Sequence, residues 1–244
     1  KQWLQVSSGT LRSSFATEPI QNLRERLAED GYLCLRQALP KDKVMEARSA
    51  ICAGLAKRAM IEGDPEQAIA SDLAVSQAST SVRIFHEFTK ERAFEQLFQG
   101  SDLNHFFDEL FAEPSLTFDF KWLRCAAPGA ATPVHCDNIY MSRGTKKIYT
   151  CWVPIGDCSK QMGSLSLLLG SHKNERVVDT FKTEDVDICE PLCPSGHIGD
   201  DPVRVSRLCN GGLWATTDFK AGDVLIFNMV SLDSCSSSPT RMRY

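Results

Sequence analysis

The sequence lacks the features that would indicate a membrane protein or a nucleic-acid-binding protein. The apolar stretch at residues 224–240 contains Asn228, Asp233 and Pro239, which makes it too polar for a membrane span. Lysine and arginine number 27 against 31 aspartates and glutamates, a net charge of −4, whereas nucleic-acid binders usually present a basic surface. Residues 1–10 lack the apolar run of a secretory signal. We therefore expect a small-molecule substrate, with no nucleic acid and no membrane as partner; the sequence gives no sign of its oligomeric state.

Zinc-binding and disulfide patterns are also absent, although the chain has ten cysteines. The sequence contains no CxxC pair and no group of cysteines and histidines with zinc spacing. Several cysteines, such as Cys34, Cys125 and Cys151, lie in apolar runs, where a free thiol behaves as a small core side chain. We expect reduced thiols and an intracellular, cytoplasmic location, with Cys189 and Cys193 in a polar loop as the candidate exceptions.

The first hundred residues have mostly helical patterns. Thr17 is expected to cap the first helix, and Gly31 to end it. Pro40 and Asp42 open a second helix, and a third helical region covers about residues 89–112. These segments predict a helical layer in the N-terminal part of a single domain.

From about residue 115 onwards, the pattern changes to short runs rich in aromatic and β-branched residues, separated by turn signals. The runs are LTFDFKWLRCA, PVHCDNIYM, KIYTCWVPI, SLSLLL and DVLIFNMVSL. A helical layer at about 17–112, followed by strands at about 115–244, predicts helices packed against a β-sandwich or jelly roll. We expect the weakly patterned residues 174–221 to form a loop insertion that carries substrate recognition.

His135 and Asp137 are the residues that point most directly to chemistry. Residues two apart in a strand point to the same face, so this imidazole and this carboxylate converge. They supply two corners of an iron(II) facial triad, which keeps open positions once a third ligand is added. A histidine paired with an aspartate at a strand end would give the same pattern without a metal, so the HxD sequence alone does not decide between the two.

Longer segments give the HxD pattern its context. The segments PVHCDNIYMSRGT, YTCWVPIGDCSKQMGSLSLLLGSHK and AGDVLIFNMVSL follow one another in this order, after EDGYLCLRQALP near the N-terminus. Together they closely resemble the phytanoyl-CoA dioxygenase-like (PhyH) family of iron(II)/2-oxoglutarate-dependent oxygenases, over about residues 25–244. The resemblance implies a mainly β fold with α-helices: a double-stranded β-helix, that is a cupin-like jelly roll, packed against N-terminal helices. It also implies a dioxygenase that hydroxylates a small or medium-sized organic substrate while 2-oxoglutarate and O2 become succinate and CO2.

The resemblance implies His135 and Asp137 as iron ligands and points to Asp233 as the third, at a position where the family has histidine. Three interpretations of Asp233 stay open: an alternative ligand, a mark of lost turnover, or a substitution introduced into an ordinary enzyme. A second carboxylate would favour harder ions such as Mn or Mg. The family's arginine for the far carboxylate of 2-oxoglutarate corresponds to Arg243, with Arg241 as the second candidate.

Two further residues are weaker candidates for binding the cosubstrate. Trp152 is expected either to wall the pocket or to fill the sandwich core. Lys121 is expected either to offer a cation or to extend into solvent from a strand. The remaining histidines are interpreted as core, surface or turn residues rather than ligands: His86, His105, His172 and His197. Because Asp137 stands where halogenating relatives have a small residue, the resemblance favours hydroxylation.

Two other functions stay open. A non-catalytic binding or scaffold protein would keep the sandwich without turnover, and Asp233 is the residue that raises this alternative. A cupin-like isomerase would supply several histidines from one pair of strands, which this sequence does not offer.

Overall fold

The computed structural model describes residues 8–62, 69–70, 82–84, 86–98, 101–126, 131–141, 143–145, 147–182, 185 and 197–236. In these ranges the helices are α1 (Ile20–Asp30), α2 (Lys41–Lys57), α3 (Arg92–Phe98), α4 (Ser101–Phe111), α5 (Asn138–Met141), α6 (Glu175–Phe181) and α7 (Pro202–Leu208). The strands are β1 (Ser8–Thr10), β2 (Ser13–Phe15), β3 (Tyr32–Arg36), β4 (Ile61–Glu62), β5 (Ile69–Ala70), β6 (Val82–Ile84), β7 (Arg124–Ala126), β8 (Ala131–Cys136), β9 (Tyr149–Trp152), β10 (Ser166–Leu168), β11 (His197–Gly199), β12 (Trp214–Thr216), β13 (Val224–Asn228) and β14 (Leu232–Ser236).

Two sheets form a sandwich. The larger sheet has the strand order β1-β12-β10-β14-β8-β11, and the smaller has the order β2-β3-β13-β9. Neighbouring strands are antiparallel except for β1 with β12 and β2 with β3. Leu167 and Ala215 from the larger sheet share one buried cluster with Leu225 and Phe227 from the smaller sheet. The predicted jelly-roll class is therefore confirmed.

Helices cover the outer face of the smaller sheet. In β13, Val224 and Ile226 pack with apolar side chains of α1 to α4, whereas Leu225 and Phe227 face the other sheet. A strand that is buried on both faces is apolar at every position, which explains the unbroken run VLIF.

The predicted loop insertion at 174–221 contains regular structure, and this part of the prediction is wrong. Helices α6 and α7 pack through Phe181 and Val205 on a buried cluster that includes Trp214 of β12. The indole Nε1 of Trp214 donates a hydrogen bond to the Pro202 carbonyl at 3.0 Å. Strands β11 and β12 have only three residues each, which is too short for an alternating pattern to show in the sequence.

The first two strands connect the sheets. β1 lies at one edge of the larger sheet beside β12, and β2 lies at one edge of the smaller sheet beside β3. Only Leu11 and Arg12 separate β1 from β2, and Leu11 is buried in the cluster between the sheets. A short segment of chain therefore borders both sheets at once.

Helix α1 begins later than predicted, and Thr17 does not cap it. Pro19 occupies the cap position and offers no side-chain hydrogen bond. Glu18 holds the preceding turn instead, because its carboxylate accepts a hydrogen bond from the Phe15 backbone N–H at 2.7 Å and pairs with Arg26 at 3.1 Å. The sequence signal for a cap was overridden by this local network.

Gly31 ends α1 as predicted, in the left-handed conformation with φ +78°. The turn at Ser171–Lys173 packs against this helix end, where the Lys173 Nζ donates to the Glu29 carbonyl at 2.8 Å. A Cβ atom on residue 31 would overlap the imidazole ring of His172. Both the backbone conformation and the close approach therefore require glycine.

The described cysteines are all free thiols, in line with the expected reduced state. Cys189 and Cys193 lie outside the described residues. Within the described ranges, the helices include none with the length and apolar character needed to cross a membrane.

The substitution Gly31→Ala is expected to lower the free energy of unfolding by about 2–4 kcal/mol, because the left-handed conformation and the overlap with His172 both add cost. Gly211→Ala is the matched control, since its φ is +76° and a Cβ there would meet open space. The control should lose only about 1–2 kcal/mol. Equal losses in chemical denaturation would contradict the proposed close contact.

Candidate metal centre

The pairing of β8 with β14 brings three candidate ligands together. His135 and Asp233 are direct partners across these antiparallel strands, and Asp137 follows β8 by one residue. One ligand atom from each of these residues lies within 4.8 Å of the other two. The spatial convergence of His135 and Asp137 that the HxD pattern predicts is therefore present, with Asp233 beside them.

The orientation of the His135 ring leaves Nε2 facing the carboxylates. Nδ1 lies 3.0 Å from the Pro133 carbonyl, so it carries a proton and donates it there. Nε2 lies 3.4 Å from Asp137 Oδ1 and 3.5 Å from Asp233 Oδ1. A backbone acceptor on one ring nitrogen commonly fixes the tautomer whose other nitrogen ligates a metal.

Burial and mutual attraction shift the pKa values of all three groups. Burial disfavours the charged His135 ring, but the carboxylates of Asp233 and Asp137 outweigh it and raise the pKa of His135. Burial, with a further contribution from the charge of Asp137, raises the pKa of Asp233. Burial also opposes ionisation of Asp137, yet hydrogen bonds from His135 and Thr150 lower its pKa overall. A second negative charge in this buried cluster is therefore unfavourable unless a further cation joins it.

An unsatisfied oxygen supports a cation at this position. Asp233 is only 3% exposed, and its Oδ1 has no hydrogen-bond partner among the residues that the structure describes. A buried carboxylate oxygen without a partner is costly unless a donor or a cation compensates it. One imidazole nitrogen and two carboxylates form a donor set suited to a divalent iron or manganese ion, so these residues fit the metal that the sequence implies.

Thr150 is a site residue that the sequence analysis missed. Its Oγ1 donates a hydrogen bond to Asp137 Oδ2 at 2.6 Å and lies 3.1 Å from the sulfur of Met229. Thr150 belongs to β9 of the smaller sheet, so this bond crosses the sandwich to the Asp137 carboxylate. The signal was available, because Thr150 lies two residues before Trp152 and therefore on the same strand face.

Trp152 and Lys121 are the two predicted cosubstrate-binding residues whose contacts the structure describes. The ring of Trp152 packs edge-on against the ring of Phe219, with 4.9 Å between the ring centres, in the core between the sheets. The Lys121 ammonium donates to the carbonyls of its own turn, those of Phe118 at 3.1 Å and Asp119 at 3.4 Å. The candidates for the far carboxylate of 2-oxoglutarate, Arg241 and Arg243, lie outside the described residues.

Arg124 is a second residue that the sequence analysis missed. It is exposed at the start of β7, and its positive charge acts to lower the pKa of both Asp137 and Asp233. Arg124, three residues after the predicted Lys121, is therefore a cation whose charge favours ionisation of both carboxylates. The segment FKWLR contains both cations, and its sequence pattern does not show which of them affects the two carboxylates.

The remaining histidines are placed away from the cluster, as far as their side chains are described. His105 is exposed on α4 near Glu109, His86 stacks on Phe120, and His172 lies against Gly31. For His197 only the backbone is described, and it pairs with His135 across β11 and β8.

Comparisons with known proteins agree with this geometry. A family model described as "Phytanoyl-CoA dioxygenase (PhyH)" matches residues 27–230. A protein named "1-deoxypentalenic acid 11-beta-hydroxylase" from Streptomyces exfoliatus is 25% identical over 252 residues, covering 96% of this chain and 83% of the relative.

Solved structures share the fold. The non-heme alpha ketoglutarate dependent carbocyclase SnoK from nogalamycin biosynthesis aligns with a TM-score of 0.65 at 17% identity, over 96% of this chain and 84% of that chain. The epimerase SnoN in complex with Fe3+, alpha ketoglutarate and nogalamycin RO aligns with a TM-score of 0.53 at 13% identity, over 92% and 80% of the two chains.

The substitution Asp233→Asn should lower the pKa of His135 in the metal-free protein, because the Asp233 carboxylate favours the charged ring. An NMR titration of the His135 ring measures this directly. The control Asp157→Asn removes a carboxylate that pairs with Lys220 at an exposed position and should leave the titration unchanged. An unchanged pKa in Asp233→Asn would contradict the close approach of the two side chains.

Proposed function

The chain belongs to the phytanoyl-CoA dioxygenase family, and on this premise we propose that it hydroxylates a small or medium-sized organic molecule with iron(II) and 2-oxoglutarate. The observation that carries the proposal is the buried group of His135, Asp137 and Asp233. When bound, iron and 2-oxoglutarate supply the oxidation, in which O2 and 2-oxoglutarate become succinate and CO2 as the substrate is hydroxylated. The relatives named as hydroxylases support this reaction class.

His135, Asp137 and Asp233 are the proposed metal ligands. His135 would offer Nε2, because its Nδ1 proton is engaged by the Pro133 carbonyl. Asp137 would offer Oδ1, because Thr150 occupies its Oδ2. Asp233 would offer Oδ1, the buried oxygen to which no described residue donates a hydrogen bond. Binding of the cation would release the proton that the raised pKa retains on His135 at neutral pH.

Asp233 is also the reason why a non-catalytic binding or scaffold function stays open as the alternative. Two carboxylates cancel the charge of a divalent ion, so the centre would attract the 2-oxoglutarate dianion less than a family site with two histidines would. The Asp233 oxygen that has no hydrogen-bond partner among the described residues favours the ligand interpretation, because burying such an oxygen is costly unless a cation compensates it.

The cosubstrate residues stay predictions. Arg243, or Arg241 as the second candidate, is proposed to bind the far carboxylate of 2-oxoglutarate, since a planar guanidinium fits a carboxylate with two hydrogen bonds. Trp152 is proposed to line the wall of the cosubstrate pocket that the smaller sheet forms. Lys121 is the weakest of these candidates because its ammonium is engaged by local carbonyls.

We also propose a reducing intracellular location for the protein, in the cytoplasm. The free thiols of the eight described cysteines support it, because disulfides persist mainly in oxidising compartments. The net charge of −4 supports a small molecule rather than a nucleic acid as the partner.

The first test titrates anaerobic protein with iron(II) and 2-oxoglutarate and follows the weak visible charge-transfer band of the chelate. The unaltered protein and Asp233→His should both show the band, whereas Asp233→Ala should weaken metal binding by more than about 100-fold. Asp179→Ala, which removes an exposed carboxylate on α6, is the control and should behave as the unaltered protein. Succinate formation under air then measures turnover.

Two outcomes would contradict the proposal. A band in Asp233→His alone would mean that Asp233 disables an otherwise ordinary oxygenase. No band in any variant would favour the binding or scaffold function.

A second test concerns the hydrogen bond from Thr150 to Asp137. Thr150→Val keeps the shape of the side chain but loses the donor, so the affinity for Mn(II) should fall about 10-fold or more. Thr150→Ser keeps the hydroxyl and should bind nearly as tightly as the unaltered protein. Electron paramagnetic resonance of free Mn(II) measures both affinities, and equal weakening in the two variants would contradict an orienting role for the hydroxyl.

A further inference from the structure

Serine hydroxyls hold the main chain on both sides of Asp233. The Leu232 N–H, directly before Asp233, donates a hydrogen bond to the Oγ of Ser171 at 2.9 Å. Directly after Asp233, the Oγ of Ser234 donates a hydrogen bond to the Thr132 carbonyl at 2.6 Å. Both serines are buried. Two hydroxyls inside the protein therefore fix the backbone that carries one of the three proposed metal ligands.

The hydrogen bond to Ser171 lies where the pairing of β10 with β14 ends. The paired residues of these two strands are Ser166 with Ser234 and Leu167 with Asp233. The Leu232 N–H lies one residue beyond the last pair, and there a side-chain hydroxyl accepts it. Because a buried N–H without an acceptor is costly, loss of this hydroxyl would favour a shift of the chain directly beside Asp233.

The hydroxyl of Ser171 is itself held in place by the end of α1. The turn Ser171–Lys173 is tied to this helix through the Lys173 Nζ, which donates to the Glu29 carbonyl at 2.8 Å. In the same turn, the ring of His172 lies against Gly31. An element outside the two ligand-bearing strands therefore sets the position of the group that accepts the Leu232 N–H.

Asp233 depends on its main chain more than the other two ligands do. The Pro133 carbonyl orients the ring of His135, and a separate hydroxyl, that of Thr150, orients the carboxylate of Asp137. No described residue donates a hydrogen bond to the Oδ1 of Asp233. The carboxylate carbon of an aspartate is only two bonds from the main chain, so the backbone position largely decides where this oxygen lies.

We propose that Ser171 is a positioning residue for Asp233. By holding the Leu232 N–H, its hydroxyl keeps the Asp233 carboxylate where it can share a cation with the other two ligands. Ser171 acts through the backbone and does not itself ligate the cation. This inference rests on the proposed function, because it concerns the metal centre of that function.

The experiment measures the affinity of the full chain for Mn(II) from the electron paramagnetic resonance of the free ion. Ser171→Ala should weaken binding by about 10-fold, as is common when a group that orients a ligand is lost. Ser164→Ala is the matched control, because it removes another buried hydroxyl, which donates to the Thr217 carbonyl at 2.9 Å. Thr217 directly follows β12, and β10 separates β12 from β14. The control should therefore keep the Mn(II) affinity, even where it lowers the stability.

A double-variant comparison separates positioning from a general loss of structure. If Ser171 acts through Asp233, Ser171→Ala should change the Mn(II) affinity of Asp233→Ala by less than about 2-fold. A merely structural role would weaken binding by the same factor in both backgrounds.

Hydrogen exchange at the Leu232 amide tests the same hydrogen bond in the metal-free protein. Ser171→Ala should speed exchange at this amide by about 10-fold or more. The amide of Leu225 in β13 is the internal reference and should keep its rate, which shows that the sandwich is still folded.

The proposal would be overturned by an unchanged Mn(II) affinity or unchanged Leu232 exchange in Ser171→Ala, or by equal weakening in the two backgrounds. If the unaltered protein bound no Mn(II), the metal centre of the proposed function would fail and this proposal with it. A protein that behaves as expected in these tests but forms no succinate would contradict the proposed oxygenase alone.

Discussion

The register between β8 and β14 is the constraint on which the rest of the site depends. Because successive side chains of a strand point to opposite faces, a slip of one residue would turn Asp233 away from His135. Apolar packing outside the site stabilises this register. Cys136 and Leu232, which are also partners across these strands, are buried on the opposite face beneath α6 and α7. The apolar packing of two short helices on the opposite face thus helps to fix the distance between His135 and Asp233.

Burying the carboxylates of the metal centre is unfavourable unless a cation binds between them. Burial raises the pKa of Asp233, so its negative charge is disfavoured, and in the described part of the chain its Oδ1 accepts no hydrogen bond. Such a site weakens the fold when it is empty and strengthens it when a cation binds, since ligand binding to the folded state alone stabilises that state. The positive charge of Arg124 acts in the opposite direction to burial, because it favours the ionised carboxylates of Asp137 and Asp233.

Sequence patterns predicted the local features well and the long-range ones poorly. The HxD alternation correctly predicted that His135 and Asp137 converge, and Gly31 correctly marked the end of α1, because both depend only on neighbouring residues. The proximity of Asp233 came from a family resemblance, since no local rule relates residues a hundred positions apart. Thr150 was missed although it shares a strand face with Trp152, because its hydrogen bond to Asp137 joins two different sheets. Thr17 and the strand at Trp214 were misjudged where a side-chain network or a three-residue strand left no periodic signal.

The two strands at the beginning of the described chain affect how readily the sandwich could add a strand from another molecule. An open sheet edge is a template on which another molecule's strand can add. β1 beside β12 and β2 beside β3 are edge strands of only three residues each, and very short edge strands leave little backbone for another strand to pair with. Loss of residues 8–15 would make β12 and the five-residue β3 the new edge strands, while leaving the metal ligands themselves intact.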